Sequence, residues 1–176
     1  VYPTQEYIRG FGDGTSAEVA KSAAAAAISM VFNTKSEVRS TAVKEMAYIQ
    51  AENKNEFVSS QQAVQVVNIE SDTEFFCLKF DEPYFDKKQN RYFALAYINK
   101  KEADTVYKER INHLMSFVRK LYTVAESDRE LYRAVSNYYK ALAVGNLAES
   151  YIHNAIIINP DNMEFYADDL GLLEQI

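Results

Sequence analysis

Tyr7-Ile8-Arg9-Gly10-Phe11-Gly12-Asp13-Gly14-Thr15-Ser16-Ala17-Glu18-Val19-Ala20-Lys21-Ser22-Ala23-Ala24-Ala25-Ala26-Ala27-Ile28 is the stretch that decides how the rest of the chain can be built. Tyr7, Ile8 and Phe11, set around Arg9 and Gly10, read as a short aromatic strand that runs out into a glycine turn over Gly10 to Gly14. Thr15-Ser16-Ala17-Glu18 has the spacing of a capping box, in which the Thr15 hydroxyl accepts an orphan helix N–H and the Glu18 carboxylate reaches back to the cap N–H. A helix therefore starts near Ser16. Its inner stripe is Ala17, Ala20, Ala24 and Ala27 with Ile28 and Val31, spaced three and four apart, and such small side chains let a helix axis lie close to a sheet.

Outward from this unit, the period shifts toward two from about Ile28 to Ser40, which predicts a long strand. Val43, Met46, Ala47 and Gln50 suggest a short helix, followed by a polar loop at Glu52 to Glu56, and Ala63 to Glu70 alternates again. Two aromatic strands follow, Thr73 to Phe80 and Arg91 to Asn99, joined by a long loop from Asp81 to Asn90 that contains Pro83. Beyond Asn99 the pattern is helical: Lys101 to about Val124, Ser127 to Val144, Leu147 to Ile158, and a last helix from Met163 still running at Ile176. Gly145-Asn146 and Asn159-Pro160 punctuate them. The fold class expected is α+β: an antiparallel sheet covered by the alanine-rich helix and the long helix after Asn99, then a small all-helical appendage. The expected domains are residues 1–124 and 125–176.

Composition narrows the function classes. The chain has 176 residues, 48% hydrophobic and 25% charged, enough to bury a core without a disulfide or structural metal. Its single cysteine permits no internal disulfide, and no run reaches the roughly 18 apolar residues of a membrane span. A net charge of −6 with no basic block disfavours nucleic acid as a partner. Val1-Tyr2-Pro3 lacks an initiator Met and an apolar leader, so the expectation is that a leader was removed or the chain trimmed; the uncapped helix at Ile176 suggests further chain or a partner segment.

No motif points to catalysis. Gly10-x-Gly12-x-Gly14 precedes a capped helix, as dinucleotide loops do, but the third glycine of G-x-G-x-x-G would fall at Thr15, which favours a structural turn. His113 and His153 have no second ligand at a metal-helix spacing, and Cys77 in Phe75-Phe76-Cys77-Leu78 is expected to pack as a small apolar group on a strand face. Asp161, Glu164, Asp168, Asp169 and Glu174 lack the frame of a calcium loop and read as a solvated acidic face. No cofactor and no metal are expected. The 13 Tyr and 10 Phe are more telling, because a ring with a polar tip suits cores and binding surfaces alike. Tyr84 and Phe85, in the expected hairpin loop, have the least to pack against and are candidate partner contacts.

The order of strand, Gly-x-Gly, alanine helix and further strands, closing on Tyr92-Phe93-Ala94-Leu95-Ala96-Tyr97-Ile98-Asn99-Lys100-Lys101-Glu102-Ala103, resembles the Lpp-twenty lipoprotein family over about residues 5–115. That family is related in fold to the N-terminal domain of flagellar assembly protein T. The resemblance implies a bacterial envelope protein on the periplasmic side, tethered by a lipidated cysteine and without known catalysis or cofactor. It carries over no functional residues. The chain has no lipobox, and residues 40–90 are longer than a minimal domain of this kind.

The helical half resembles a single tetratricopeptide repeat anchored on Pro160, with consensus positions at Tyr132, Val135, Ser136, Tyr139, Ala148, Ile152 and Ala155 and its turn at Gly145-Asn146. One repeat cannot bury its faces alone, so it is expected to pack between the long helix and the terminal one. Its concavity adds Tyr138 and Tyr151 as candidate partner contacts. The function expected from all this is non-enzymatic: an outer-membrane-anchored, periplasm-facing lipoprotein domain that binds envelope proteins or takes part in envelope or flagellar-associated assembly. The alternatives are a thiol enzyme pairing Cys77 with a histidine, a small-molecule binder at the glycine turn, and an assembly subunit with a symmetric or head-to-tail interface.

Overall fold

The computed structural model describes residues 2–32 and 75–176. The expected strand from Asn33 to Ser40, the short helix after it, the alternating Ala63 to Glu70 and the start of the strand at Thr73 lie outside the described residues. The element order is β1 (Tyr7–Gly14), α1 (Ala17–Phe32), β2 (Leu78–Phe80), β3 (Tyr84–Asp86), β4 (Arg91–Asn99), α2 (Lys100–Ser127), α3 (Leu131–Ile158), α4 (Asn162–Phe165) and α5 (Ala167–Leu173). The fold class is α+β with an antiparallel sheet. Among the described residues, 2–32, 75–106 and 157–159 form one compact unit and 107–156 with 160–176 form another. The division falls after Val106, inside α2, whereas the sequence placed it after Val124.

In the first unit, β4 is the central strand. β1 pairs with one edge, from Tyr7↔Asn99 to Gly14↔Tyr92, while β2 and β3 lie end to end along the other, from Leu78↔Ile98 to Phe80↔Ala96 and from Tyr84↔Phe93 to Asp86↔Arg91. Between Phe80 and Tyr84 the outer strand has one residue more than β4, the signature of a bulge, and Pro83, which has no N–H to donate, sits in it. The expected ten-residue loop thus shrinks to Lys87–Asn90. Its tip is held by the Asp86 carboxylate, which accepts from the Lys88 N–H at 2.8 Å, and by Asn90, which takes the left-handed conformation that Asn tolerates.

The three glycines of β1 are not a turn. All three lie within the strand, none has a positive φ, and by the two-residue alternation they share the face turned to α1. A Cβ at Gly12 would lie 2.2 Å from the Ala24 nitrogen and 2.3 Å from the Ala20 oxygen; at Gly10 it would lie 2.2 Å from the Ala24 oxygen. The helix backbone rests on a strand backbone with no side chain between them. Its buried stripe is Ala20, Ala24, Ile28 and Phe32, so the period-two reading from Ile28 is corrected: helix continues to Phe32, because Ile28 and Phe32 extend the i, i+4 row that covers the sheet. Val31, expected inside, is exposed. Where the glycines end, larger side chains fill the widening gap: Ile8, Ile28, Phe32, Phe76 and Ile98 are buried, with the Phe32 and Phe75 rings 5.4 Å apart.

The helix start is shifted by one residue from the expected box. Ser16, not Thr15, is the cap: its Oγ accepts from the Val19 N–H at 3.3 Å. Glu18 is held below the usual glutamate range by its own backbone N–H and by the Ser16 hydroxyl. β4 enters α2 without a loop, Asn99 Oδ1 accepting the Glu102 N–H at 3.0 Å as its cap.

In the second unit, α2 and α3 run antiparallel, joined by Asp128-Arg129-Glu130. Tyr107 meets Tyr151 edge-on at 5.8 Å near one end and Tyr122 meets Tyr138 at 5.7 Å near the other. Buried Tyr107, Ile111, Leu114, Val118, Leu121 and Ala125 recur at four, three, four, three and four, the seam of an antiparallel helix pair. The turn expected at Gly145-Asn146 is absent, and α3 is one helix from Leu131 to Ile158. This overturns the tetratricopeptide-like hairpin: the paired helices are α2 and α3, while the consensus positions fall on α3 alone. Gly145 serves a different purpose, since a Cβ there would lie 2.8 Å from Cδ2 of Leu173, so the glycine makes room for α5. Pro160 ends α3, and the buried Asn162 amide donates to the Ala155 carbonyl at 2.9 Å. The last helix stops at Leu173, short of the expected Ile176.

Gly12→Ala is expected to destabilise the sheet unit by about 3 kcal/mol. Gly171→Ala, with open space around it in α5, should stabilise by ~0.5–1 kcal/mol. Urea midpoints read by circular dichroism check both. Ser16→Ala should cost about 1 kcal/mol, and Thr15→Ala far less. Because Glu18 has a folded pKa below its unfolded one, its contribution is present above the unfolded value and fades as pH falls through the folded one. In Ser16→Ala its carboxyl titration, followed by NMR, should move up.

Candidate interaction surface

The sheet has two unlike faces. α1 covers the face of Ile8, Gly10, Gly12, Ala94, Ala96 and Ile98, and the register places Phe11, Leu95, Phe93 and Tyr84 together on the other. Phe11 pairs with Leu95 across β1 and β4, Tyr84 pairs with Phe93 across β3 and β4, and Phe93 lies two residues from Leu95 on the same face. Cross-strand and same-face neighbours of this kind are in contact range for large side chains. Phe11 is 69% and Tyr84 67% exposed, while Phe93 and Leu95 are half-buried.

Charged residues share this face: Asp13 pairs with Phe93, and Arg9, two residues before Phe11, pairs with Tyr97. At one end Arg91 bridges to Asp13 at 2.5 Å, and toward the other Lys79 bridges to Glu102 at 2.7 Å, both pairs half-exposed. The Glu102 hydrogen bond raises the Lys79 pKa, which favours the charged ammonium. Beside Lys79, Tyr2 stacks on Tyr97 at 4.2 Å, meets Tyr7 edge-on at 5.1 Å, and donates its hydroxyl to Asp81 Oδ1 at 2.7 Å. Hydrogen bonding with Tyr97, then Asp81, pushes the Tyr2 hydroxyl well above its ordinary range. The result is an aromatic strip with charged residues beside it on the same face, the make-up of a protein contact surface.

The candidate residues named from sequence divide. Tyr84 lies on the strip, but on strand β3 and not in a loop. Its neighbour Phe85 points to the opposite side of the sheet and packs on Tyr92 at 4.8 Å. Tyr138 is half-buried against Tyr122. Tyr151 is corrected: it is fully buried against Tyr107 and has nothing to offer a partner, because the concavity that was to expose it required a turn that α3 does not make. Phe11, Phe93 and Leu95 were missed. The signal for them was present in the parity of β4, where Phe93, Leu95 and Tyr97 alternate with Ala94, Ala96 and Ile98.

Cys77 is also corrected. It lies in the turn before β2 with φ 63, half-buried, not on a strand face. Burial, then the Glu102 carboxylate, pushes its thiol up, with Lys79 opposing, so the turn favours the thiol over the nucleophilic thiolate. His113 and His153 lie on exposed helix faces of the other unit. The glycines, for which a small-molecule-binding turn was the alternative to a structural one, are packed on α1. Among the described residues no three of His, Cys, Asp and Glu cluster in a way that could hold a metal ion, and no helix is long and apolar enough to cross a membrane. In the acidic tail Asp169 pairs with Arg119, and the Lys108 ammonium lies 5.5 Å from the centre of the Phe165 ring.

Compared with known proteins, the chain matches no family model, and neither curated sequences nor solved structures give a significant match.

Tyr151→Ala is expected to cost about 3–5 kcal/mol through the cavity it leaves, whereas Tyr84→Ala should stay within about 0.5 kcal/mol. Denaturation of the two variants side by side checks the division between core and surface.

Proposed function

We propose that the chain is a non-enzymatic module of the bacterial cell envelope. In this reading it sits on the periplasmic side, held to the outer membrane by a lipid anchor outside these residues, and binds other envelope proteins through the open face of its sheet. The observation that supports binding is the exposed row of Phe11 and Tyr84 over Phe93 and Leu95. A soluble domain seldom leaves adjoining large aromatics uncovered on a rigid sheet unless something docks there. What supports the envelope is the resemblance of residues 5–115 to the Lpp-twenty lipoproteins, carried by the opening Tyr7-Ile8-Arg9-Gly10-Phe11-Gly12 and the closing Ala94-Leu95-Ala96 strand. The left-handed turn and raised thiol at Cys77 count against the thiol-enzyme alternative, and the glycines packed on α1 count against a ligand loop.

The mechanism is docking. A partner's apolar side chains would cover the aromatic strip, while the Arg91–Asp13 and Lys79–Glu102 pairs remain at the rim, where exposed ion pairs guide orientation more than they add affinity. Photo-crosslinking in cells from a reactive residue at position 84 or 11 tests this reading. A discrete envelope protein should be captured from both positions but not from exposed Lys120, and capture from position 84 should be lost in Phe11→Ser. Capture that is equal from Lys120, or unchanged in Phe11→Ser, overturns the surface. Fractionation with labelled fatty acid tests the compartment, which fails if the protein is unlipidated and stays in the cytosol.

A further inference from the structure

β1 is an edge strand, and its outer edge can be read residue by residue. The Lys100 N–H donates to the Glu6 carbonyl at 2.9 Å, which makes Glu6 and Lys100 a hydrogen-bonded pair of the antiparallel ladder. Alternation then gives β4 the main-chain groups of Ile8, Gly10, Gly12 and Gly14 and turns those of Tyr7, Arg9, Phe11 and Asp13 outward. The Tyr7 N–H is taken by the Pro3 carbonyl at 2.9 Å. Among the described residues no strand pairs with this edge, so Arg9, Phe11 and Asp13 present a row of ladder donors and acceptors.

What fits the edge is the edge itself. Antiparallel pairing with a second β1, centred on Phe11, sets Arg9 opposite the other copy's Asp13 and Asp13 opposite its Arg9, all on one face. Sliding by two residues loses both ion pairs, and sliding by four sets Arg9 against Arg9 or Asp13 against Asp13. Arg9 has no ion-pair partner among the described residues, and Asp13, bridged to Arg91, keeps lone pairs for a second donor. The helix above repeats the symmetry. Ala24 lies over Phe11, since Cβ atoms at Gly12 and Gly10 would meet its nitrogen and its oxygen. On the side of α1 turned away from Phe32 and its Phe75 contact, Val19, Ala23, Ala26 and Met30 are spaced four, three and four about the same point. Val19 is 50% and Met30 81% exposed, and no charge interrupts the row. A two-fold axis through Phe11 would bring Val19 to the other copy's Met30, with alanines where the two helices cross.

We propose that the outer edge of β1 is the site at which a second copy of the chain docks, β1 against β1 about Phe11, with the two α1 helices meeting alongside. Three hydrogen-bonded residue pairs at two bonds each give six main-chain bonds, within the usual range of about ten, give or take five, for an interface. Phe11, Val19 and Met30 offer roughly 700 Å² over two copies, and the strand backbone, Arg9, Asp13 and the alanines carry the total beyond the roughly 1,000 Å² of a specific contact. The dimer uses the edge of the sheet and needs neither an anchor nor an envelope partner, so it stands apart from the envelope reading.

Sedimentation velocity of the 176-residue chain, from low to high micromolar concentration, should show the average mass rising from monomer toward dimer. Arg9→Glu and Asp13→Lys each set like charges opposite one another across the two-fold axis, and each should weaken self-association by at least about tenfold. Mixed one to one, the two variants restore opposite charges at both positions and should associate about as well as the parent, which also shows that both are folded. In a Cys77→Ser background, Phe11→Cys should give a disulfide-linked dimer under mild oxidation, because the two positions face each other about 5.5 Å apart between Cα atoms. Tyr84→Cys, exposed on the same face but away from the edge, should not. A chain that stays monomeric throughout, single variants that associate as the parent does, a mixture no stronger than either variant alone, or equal crosslinking from positions 11 and 84 would each overturn the proposal.

Discussion

The sheet unit depends on one close approach, that of the α1 backbone to the bare β1 face at Gly10, Gly12 and Gly14. Glycine is used here for what it lacks: the positions have ordinary negative φ values, and the missing Cβ is the point. Alanines at positions 20 and 24 are the counterpart on the helix, small enough to keep the two backbones together. Such a contact buries little apolar area, so its stabilisation is modest and its geometric demand severe. The apolar burial is supplied farther along by Ile28, Phe32, Phe76 and Ile98, where the helix and sheet have room for larger side chains.

A helix seated so closely on one side leaves the sheet's chemistry asymmetric. The face turned to α1 is Gly and Ala at its centre, with Ile8 and Ile98 at one end and Phe80, Phe85 and Tyr92 on the same side; the open face holds Tyr2, Tyr7, Phe11, Tyr84, Phe93 and Tyr97. Antiparallel sheets commonly solvate their second face with polar residues. Here that face interleaves large aromatic side chains with a few charges, Arg9 and Asp13 among them, which is why it, and not the glycine strand or Cys77, carries the functional reading. The helical unit shows a similar economy. α3 is buried along most of its second half, where Gly145 admits Leu173, and exposes most of its apolar surface in its first half.

Legibility in the sequence followed the range of the interactions involved. β4 and its passage into α2 were readable to within a residue, because alternation and the Asn99 cap are local signals. The capping residue of α1 was misplaced by one position, since Thr15 and Ser16 are chemically equivalent candidates and only the backbone path chooses between them. Gly145-Asn146 looked like a turn because glycine disfavours helix interiors by about 1 kcal/mol. Burial of Ala141, Val144, Leu147 and Ala148 around it outweighs that preference. Of the contact residues, Tyr84 was legible from its aromatic character, but Phe11, Phe93 and Leu95 become a surface only when three strands are put in register.

The sequence by itself determined that this is an α+β chain with an alanine helix close to a sheet, because short-range periodicity and side-chain size are written into it directly. Only the tertiary structure decided which face of each element is covered. Tyr84 and Tyr151 are the same residue type, yet one lies open on a strand edge and the other is sealed between two helices. The physical reason is that burial is a property of pairs of elements: the helix pairing of α2 with α3, and the parity of β1 against β4, assign each ring to core or surface, and neither is encoded in the neighbourhood of the ring itself.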